Sequence, residues 1–588
     1  MSLSNLLMQT RPAVEEELFA LAPPYTLFIS ICDGKRRAKV RHATADDFST
    51  AWRSAASMAR RAAKDAKMNV CWLRVDWVTG IEETTWREIK RKLKTLTSSF
   101  FRQGIALDPD LRSAFLEQEI NANAMFYGGK KVEHAVLNEK KFMAYVRRRY
   151  RNHPEVDFSD DKPVYVLSTK GVFTEGSGTP VPLHGSGRHA GRRRIKEFDE
   201  KIAARLIVTS SQYLARQVRA SGQFRYGRHA CFDRNINHYN ALRHVGSLYA
   251  MLEAWELTGD QRLKDAIDRA LEYLTREIIK PVTLPSGKEV SYVVDGDEIK
   301  LGGNSICVLM LAKYVSLTGS KKYDDLMESI SLGIDYLQDP ETGKFVHVLR
   351  YPDLSLKDEF RIIYFDGEAA FGLMRLYGIR KDPRWLSIVE KAFTYFISAE
   401  HWRAHDHWLS YCATEMILYR PEERYYDFGL KNATDYLDAM EGRIPAVPTQ
   451  FELMMAAEKL VYRLQRDKNH AHLLEKFDLE RFYDGLHKRA HHLLNSYIWP
   501  EFAMYFKRPS SILGAFFIRR HGFRVRIDDV QHYLSGLIGY LYYLLRDRNI
   551  KIPDNQVDED TAAAPQAFDS KAIASARESL KLAHSSPD

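Results

Sequence analysis

One phrase recurs four times in this chain of 588 residues. It reads Glu256-Leu257-Thr258-Gly259 ahead of an amphipathic run closing on Tyr273, and Leu317-Thr318-Gly319 ahead of one closing on Tyr336. It returns as Leu376-Tyr377-Gly378 ahead of Tyr395, and as Leu418-Tyr419-Arg420 ahead of Tyr436. Each copy is the end of an apolar helix, a tight polar turn and an amphipathic helix. Internal repetition of this kind fixes architecture before any single residue does. The unit is a helical hairpin, and its uneven spacing fits a closed helical toroid better than a uniform solenoid.

Helical periodicity extends the pattern on both sides. From residue 195 to 547 the chain reads as twelve helical stretches, at about 197–218, 237–257, 260–275, 302–317, 320–337, 365–377, 382–398, 407–419, 421–439, 449–464, 479–495 and 529–546. Alternate members, beginning with 237–257, are apolar around most of their circumference, and their partners carry one charged face. All-round apolar helices belong inside and amphipathic ones outside. The expectation is an all-α (α/α)6 toroid of six hairpins over residues 195–552.

Residues 1–173 differ. YTLFISIC, NVCWLRVDWV and KPVYVLSTKGVFTEG are β-branched and aromatic runs, whereas FSTAWRSAASMARRAAKDA and TTWREIKRKLKTLTSSFF have helical periodicity. They predict a separate N-terminal α+β domain, with Trp72, Asp76 and Trp77 as core or edge residues of a strand. Residues 174–194 are rich in Gly, Pro, Ser and Arg and read as a basic linker, in which Arg188, Arg192, Arg193 and Arg194 stay extended and solvated or contact phosphate or lipid. The polar stretch 553–588 reads as a disordered tail.

Bulk properties narrow the function class. The formal charge of +9 admits an anionic substrate or an acidic membrane face, and no nucleic-acid motif accompanies it. Five scattered cysteines without a CxxC pair argue against a disulfide framework and a zinc finger. No basic-then-apolar leader and no apolar run near the ~20 residues of a membrane span is read, so the cytoplasm is expected.

In such a toroid the starts of the six inner helices ring one mouth, where free N–H groups and positive dipole ends gather. Those starts hold Asn237, His238 and Asn240; Asn304; Asp366 and Glu368; His405, Asp406, His407 and Trp408; Thr449 to Glu452; and Asp528, Asp529, His532 and Tyr533. Capping explains about half of them, because Asn, Asp and Thr are favoured N-caps and Glu suits the first turn. It does not require the histidines or aromatics. Asp366, Glu368, Asp406, His407 and Asp528 are therefore taken as the catalytic set, with Asp366 preferred as the cleft carboxylate. Arg225, Tyr226, Arg228, His238, Asn240, Asn304, His405, Trp408, Asp529, His532 and Tyr533 are taken as the set that binds a polar, ring-shaped ligand, Arg225 or Arg228 pairing a substrate carboxylate.

The repeated hairpins, with their "LTG" turns and a Gly-aromatic strand such as GKFVH after the outer helix, resemble the six-hairpin (α/α)6 glycosidase-type toroids. That broad group includes glycoside hydrolases, uronate-acting enzymes and sugar 2-epimerases. The resemblance covers about 350 of the 588 residues and is one of architecture. It implies a carbohydrate-active enzyme on a sugar or polysaccharide, expected here to be anionic, working by hydrolysis, elimination or epimerisation through carboxylates or a histidine pair. No cofactor and no metal are expected. The alternative is a non-catalytic toroid that binds or assembles in a cell-surface polymer pathway, with peripheral contact to a membrane or biosynthetic complex.

Overall fold

The computed structural model describes residues 2–547 except 151–152, 154, 177, 435, 438–445 and 519–520. The tail expected at 553–588 lies outside the described residues, as does the side chain of Arg188.

The N-terminal region forms around a sheet. Strands β1 (Tyr25–Cys32), β2 (Lys39–Ala45), β3 (Trp72–Thr85) and β4 (Pro163–Glu175) run in the order β2-β1-β3-β4, all antiparallel, and Gly104–Ala106 and Ala114–Phe115 extend the β4 edge. KPVYVLSTKGVFTEG, which reads as a strand pair, is one long strand along β3. Helix α1 (Leu3–Leu18) and helix α2 (Phe48–Asp65) cover one face. Asp47 caps α2 through the Thr50 N–H, and the row Ala51, Trp52, Ala55, Ala59 and Ala62 turns inward at helical spacing. Helix α3 (Trp86–Leu93) follows β3.

The second half is helical. In chain order come α4 (Glu200–Gln217), α5 (Ala241–Thr258), α6 (Gln261–Tyr273), α7 (Leu301–Thr318), α8 (Asp324–Tyr336) and α9 (Tyr364–Arg380). They are followed by α10 (Pro383–Ser398), α11 (His407–Met416), α12 (Glu423–Thr434), α13 (Pro448–Leu464), α14 (Leu479–Leu493) and α15 (Ile527–Asp547). Six of them pack in a closed cycle: α5 on α7, α7 on α9, α9 on α11, α11 on α13, α13 on α15, and α15 back on α5. The others pack outside, α6 on α5, α8 on α7, α10 on α9, α12 on α11, α14 on α13, and α4 across α15 and α5.

The apolar pattern accounts for this alternation. On α7 every residue from Leu301 to Lys313 is buried, whereas α6 buries Leu263, Ala266, Ile267, Ala270 and Leu271 along one stripe. Leu301–Thr318 is apolar and long enough to cross a membrane, but it is an element of this ring, packed between α5 and α9. Gly372 permits the close pass of α9 over α7, since a Cβ there would stand 2.6 Å from the Ser305 carbonyl oxygen.

The repeated phrase folds in two ways. Gly259 and Gly319 end α5 and α7 in the left-handed conformation, φ +62° and +66°, which glycine adopts without a Cβ penalty. The third copy runs through Gly378 and stops at Lys381, φ +56°. Two features are not legible in the helical pattern. A hairpin, Ile279–Thr283 with Glu289–Asp295, projects between α6 and α7 and builds a five-stranded sheet with Glu298–Lys300, Val348–Arg350 and Leu356–Asp358. Glu501 to Ala503 lie on a short helix (Pro500–Ala503).

The basic segment is packed, against the expectation of a solvated tether. Arg192 and Arg193 are each 6% exposed. The Arg193 guanidinium grips the buried Glu501 carboxylate through Nε at 2.9 Å and Nη2 at 2.7 Å. Nearby, Ala38 donates its N–H to the Met504 carbonyl at 2.7 Å and Ser510 to that of Gly34 at 2.9 Å. One continuous core joins Phe28, Trp72 and Phe173 of the sheet to the ring. The physical reason is charge pairing: an arginine delivered beside a buried carboxylate is worth more inside than in water. Asp76 is likewise a core residue, in a fully buried pair with Arg74 at 2.7 Å.

Candidate functional site

The starts of the inner helices meet as the periodicity requires, and a chain of charge links them. Strand Arg524–Arg526 pairs with Gly227–His229 and delivers Arg526 to the start of α15. Arg526 bonds Asp529 at 2.6 Å and Asp528 at 3.1 Å. Arg243, in the first turn of α5, reaches Asp528 at 2.8 Å. His532, one turn beyond Asp528, stands 3.5 Å from it through Nε2 and 2.6 Å from Glu452 Oε2 of α13 through Nδ1. Glu452 Oε2 in turn lies 3.8 Å from His407 Nε2. The walls are aromatic, with Trp408 4.8 Å and Tyr364 5.5 Å from the His407 ring.

Several buried polar atoms at the mouth lack a hydrogen-bond partner among the described residues, Asp366 Oδ1, His347 Nε2 and Asp528 Oδ1 among them. Glu368 Oε2 and His407 Nε2 are buried with no hydrogen-bond partner among the described residues. Burial, helped by Asp406 and Asp528 and opposed by Arg243 and His532, pushes the Glu368 carboxyl up to about 8. At neutral pH it is a neutral acid. His532 moves the other way: burial pushes it down, but Glu452 and Asp528 outweigh burial and hold it at about 9. Asp528, beside two guanidinium groups and His532, sits below the usual carboxylate range despite its burial.

Glycine makes the room for Glu368. A Cβ on Gly302 would overlap Glu368 Oε2 and come within 2.5 Å of the Phe365 ring. Gly302→Ala is expected to keep the fold and lower turnover by about tenfold or more, because a displaced acid no longer meets its substrate atom. Steady-state kinetics beside circular dichroism measures this.

The remaining predicted residues divide by position. Glu368, Asp406, His407, Trp408, Asp528 and His532 come together. Asp406 is nevertheless committed: its carboxylate caps α11, accepting from the Trp408 and Leu409 N–H groups at 3.2 and 3.0 Å. Asp366 lies against His347, Oδ2 to Nε2 at 3.3 Å. Residues i and i+2 of a helix do not share a face, and Glu368 lies instead among Arg243, Asp406, His532 and Asp528. Tyr226 and His238 stand at the rim, rings 5.1 Å apart, beside the exposed Asn237.

Others are structural. Asn240 caps α5, and Asn304 ties α7 to the hairpin through the Val293 N–H at 2.7 Å. His405 bonds the Asn432 carbonyl at 2.9 Å and stacks on Tyr436. Asp529 is held by Arg526. Tyr533 stacks on Phe516 with ring centroids 4.0 Å apart and donates to the Ala446 carbonyl at 2.5 Å. Arg225 is exposed and bonds the Arg216 carbonyl, while Arg228 pairs with Asp233 at 2.5 Å.

Sequence reasoning missed Arg243, Tyr364 and Arg526 as site residues and read Glu452 as a first-turn acid. The signal for Glu452 was present: α13 starts at Pro448, so Glu452 lies a full turn inside the helix, where a carboxylate no longer caps.

His407, Glu452 and His532 offer three ligand atoms within 4.8 Å of one another. Two ligands of one zinc ion stand about 3.3 Å apart, given bonds of about 2.0–2.1 Å. The 2.6 Å between His532 Nδ1 and Glu452 Oε2 is a hydrogen-bond length, and two guanidinium groups border the cluster. His532 and Glu452 form a hydrogen-bonded pair, and His407 Nε2 stands 3.8 Å from it without a bond.

No known protein family and no curated protein matches the sequence. Solved structures do. The GH76A α-1,6-mannanase from Salegentibacter sp. HEL1_6 is similar at 12% identity and TM-score 0.41, over 59% of this chain and 100% of that one. D-mannose isomerase is similar at 12% identity and TM-score 0.44, over 60% and 100%. Cellobiose 2-epimerase from Spirochaeta thermophila DSM 6192 is similar at 14% identity and TM-score 0.44, over 60% and 97%. These three are sugar-acting enzymes. What the present site can do follows from its own side chains.

Proposed function

We propose that the ring is an (α/α)6 toroid and that its mouth moves a proton at a sugar carbon, as an epimerase or isomerase does. One observation carries this reading: Glu368 is a neutral carboxyl with no hydrogen-bond partner among the described residues, buried in the same mouth as His407 and His532, while Asp406, Asp528, Asp529 and Glu452 are bonded to other groups. Glycosidic cleavage needs a second free carboxylate as base or nucleophile. Asp406 is spent on a helix cap, Asp528 and Asp529 on arginines and Glu452 on His532, while Asp366 lies 3.3 Å from His347 without a hydrogen bond to it.

In the proposed chemistry His407 Nε2 takes the proton from the carbon next to the sugar carbonyl. The carbonyl oxygen gains a proton from Glu368 or from the His532 imidazolium, which Glu452 orients, giving an enediol. Return of a proton to the other face inverts the centre; return to the neighbouring carbon isomerises it. Such acid–base roles contribute about 10²–10⁴-fold each.

Every cation at the mouth is matched by a carboxylate, Arg243 and Arg526 by Asp528 and Asp529, and His532 by Glu452. A neutral sugar therefore fits better than the anionic one expected from net charge. The division at 1–173, 174–194 and 195–552, and a cytoplasmic location, belong to the same proposal.

The test is incubation with neutral mono- and disaccharides in D2O, followed by proton NMR. Deuterium at the carbon beside the carbonyl, lost in Glu368→Gln and His407→Phe, is the expected result. Release of new reducing ends without exchange would replace the reading by hydrolysis. Neither exchange nor cleavage, with measurable binding, would favour the non-catalytic alternative.

A further inference from the structure

The consecutive arginines of the connecting segment are used unequally. Arg193 holds Glu501, and Arg194 bonds the Leu183 carbonyl at 3.2 Å. Arg192, 6% exposed, forms no ion pair with a carboxylate among the described residues. Its Nη2 lies 3.1 Å from His189 Nδ1, but Nε and Nη1 are buried without a hydrogen-bond partner among the described residues. Arg102 Nε and His184 Nε2 are in the same condition.

These groups gather at one place. Arg102, from the N-terminal region, and His189 and Arg192, from the connecting segment, line a cavity of about 40 Å³ with Asn495 and Trp499, which follow α14. His184 stands against His189 with ring centroids 5.3 Å apart, and His491 lies 6.0 Å beyond it. Two carboxylates reach the cavity, and both are occupied. Glu117 accepts from Arg102 at 2.5 Å and Gln118 at 3.0 Å, and Glu501 is gripped by Arg193. Positive charge is in local excess. Burial lowers Arg192 to about 10, with Glu501 raising it and Arg193 lowering it further. Burial, then Arg192 and the neighbouring histidine and arginine charges, drives His184 down to about 4.

A buried cation persists where something of opposite charge answers it. We propose that this cavity is an oxyanion site, in which Arg192, with Arg102 and His189, takes one tetrahedral anion of the phosphate or sulfate class. A guanidinium fork matches such oxygens in shape as well as charge. A cavity of about 40 Å³ has room for a few water-sized groups, hence for the anion itself and not for a sugar attached to it. Donors arrive from the N-terminal region, the connecting segment and the turn after α14, so the anion staples the sheet to the ring. The site is independent of the chemistry proposed for the mouth.

The experiment uses the full chain. Thermal unfolding is followed as inorganic phosphate, or sulfate, replaces chloride at constant ionic strength, and 31P NMR line broadening reports phosphate binding directly. A ligand that binds only the folded state raises Tm with its concentration, so a saturable rise with phosphate and sulfate is expected. Arg192→Met is expected to leave Tm in chloride unchanged or higher, because it removes an uncompensated buried charge. The same variant shifts the midpoint of the phosphate response at least tenfold. Arg102→Met, at the opposite wall, is expected to weaken the response too and serves if the first variant does not fold. Glucose 6-phosphate at equal concentration separates the sources: no response assigns free anion, and an equal response assigns a phosphomonoester whose sugar stays outside. A response no larger than that of chloride, an undiminished response in both variants, or a large loss of Tm for Arg192→Met in chloride would each overturn the site and leave a water-filled cavity.

Discussion

Replacing Glu368 by Gln is expected to abolish turnover while making the protein more stable in alkali. The amide keeps the shape of the carboxyl but cannot give up a proton, so a loss of 10²-fold or more is expected. The stability effect has the opposite sign. A glutamate titrates near 4.5 when unfolded and is pushed to about 8 here, chiefly by burial. Between those values the folded state holds a proton that the unfolded state has released, so stability falls as pH rises through the window and levels off above it. Each tenfold difference in proton affinity between the folded and unfolded chain is worth about 1.4 kcal/mol, so at pH 9 the burden is roughly 2–4 kcal/mol or more. Glu368→Gln escapes it. Urea unfolding of both proteins at pH 5 and pH 9 should show near-equality at the lower pH and a gain for the variant at the higher one. Equal pH dependence would mean that another group carries the alkaline loss. Asp366→Asn is the matched control and should lose less than about tenfold in turnover, because its carboxylate faces His347.

The second large effect is structural. Arg193→Met is expected to cost about 3–5 kcal/mol, since removing one partner of a buried ion pair strands the other. Glu501 is wholly buried and accepts both from the Arg193 guanidinium and from its backbone N–H at 3.1 Å. The double variant Arg193→Met with Glu501→Leu should recover most of the loss, because an apolar pair of similar volume is often no worse than the ions it replaces. Denaturant midpoints for the two singles and the double measure the coupling. If the single loses under about 1 kcal/mol, the pair does not hold sheet to ring.

The ring was legible because it rests on repetition and periodicity. The expected helix at 302–317 is found at Leu301–Thr318, and that at 382–398 at Pro383–Ser398. The first strand, YTLFISIC, matches β1 residue for residue. The Ile279–Asp295 hairpin was not legible, because a helical period cannot announce an insertion between two helices. The connecting segment misled for a related reason. Composition says that Gly, Pro and Arg cannot build a core by themselves, but it says nothing of Glu501, more than 300 residues away, whose charge draws Arg193 inside.

The chain by itself determined which helices are inner and which residues begin them, since an apolar circumference has only one favourable place to go. Only the tertiary structure decided what those residues do. Successive positions on a helix start point about 100° apart, so a one-residue difference separates a carboxylate in a cap, Asp406, from a histidine at the mouth, His407. Whether a carboxyl is charged depends on partners from other helices. Asp528 meets Arg243 and Arg526 and is held ionised, whereas for Glu368 burial, with Asp406 and Asp528 nearby, outweighs Arg243 and His532 and keeps the carboxyl protonated. Those encounters arise only when the ring closes, α15 against α5, bringing together groups almost 300 residues apart in the chain.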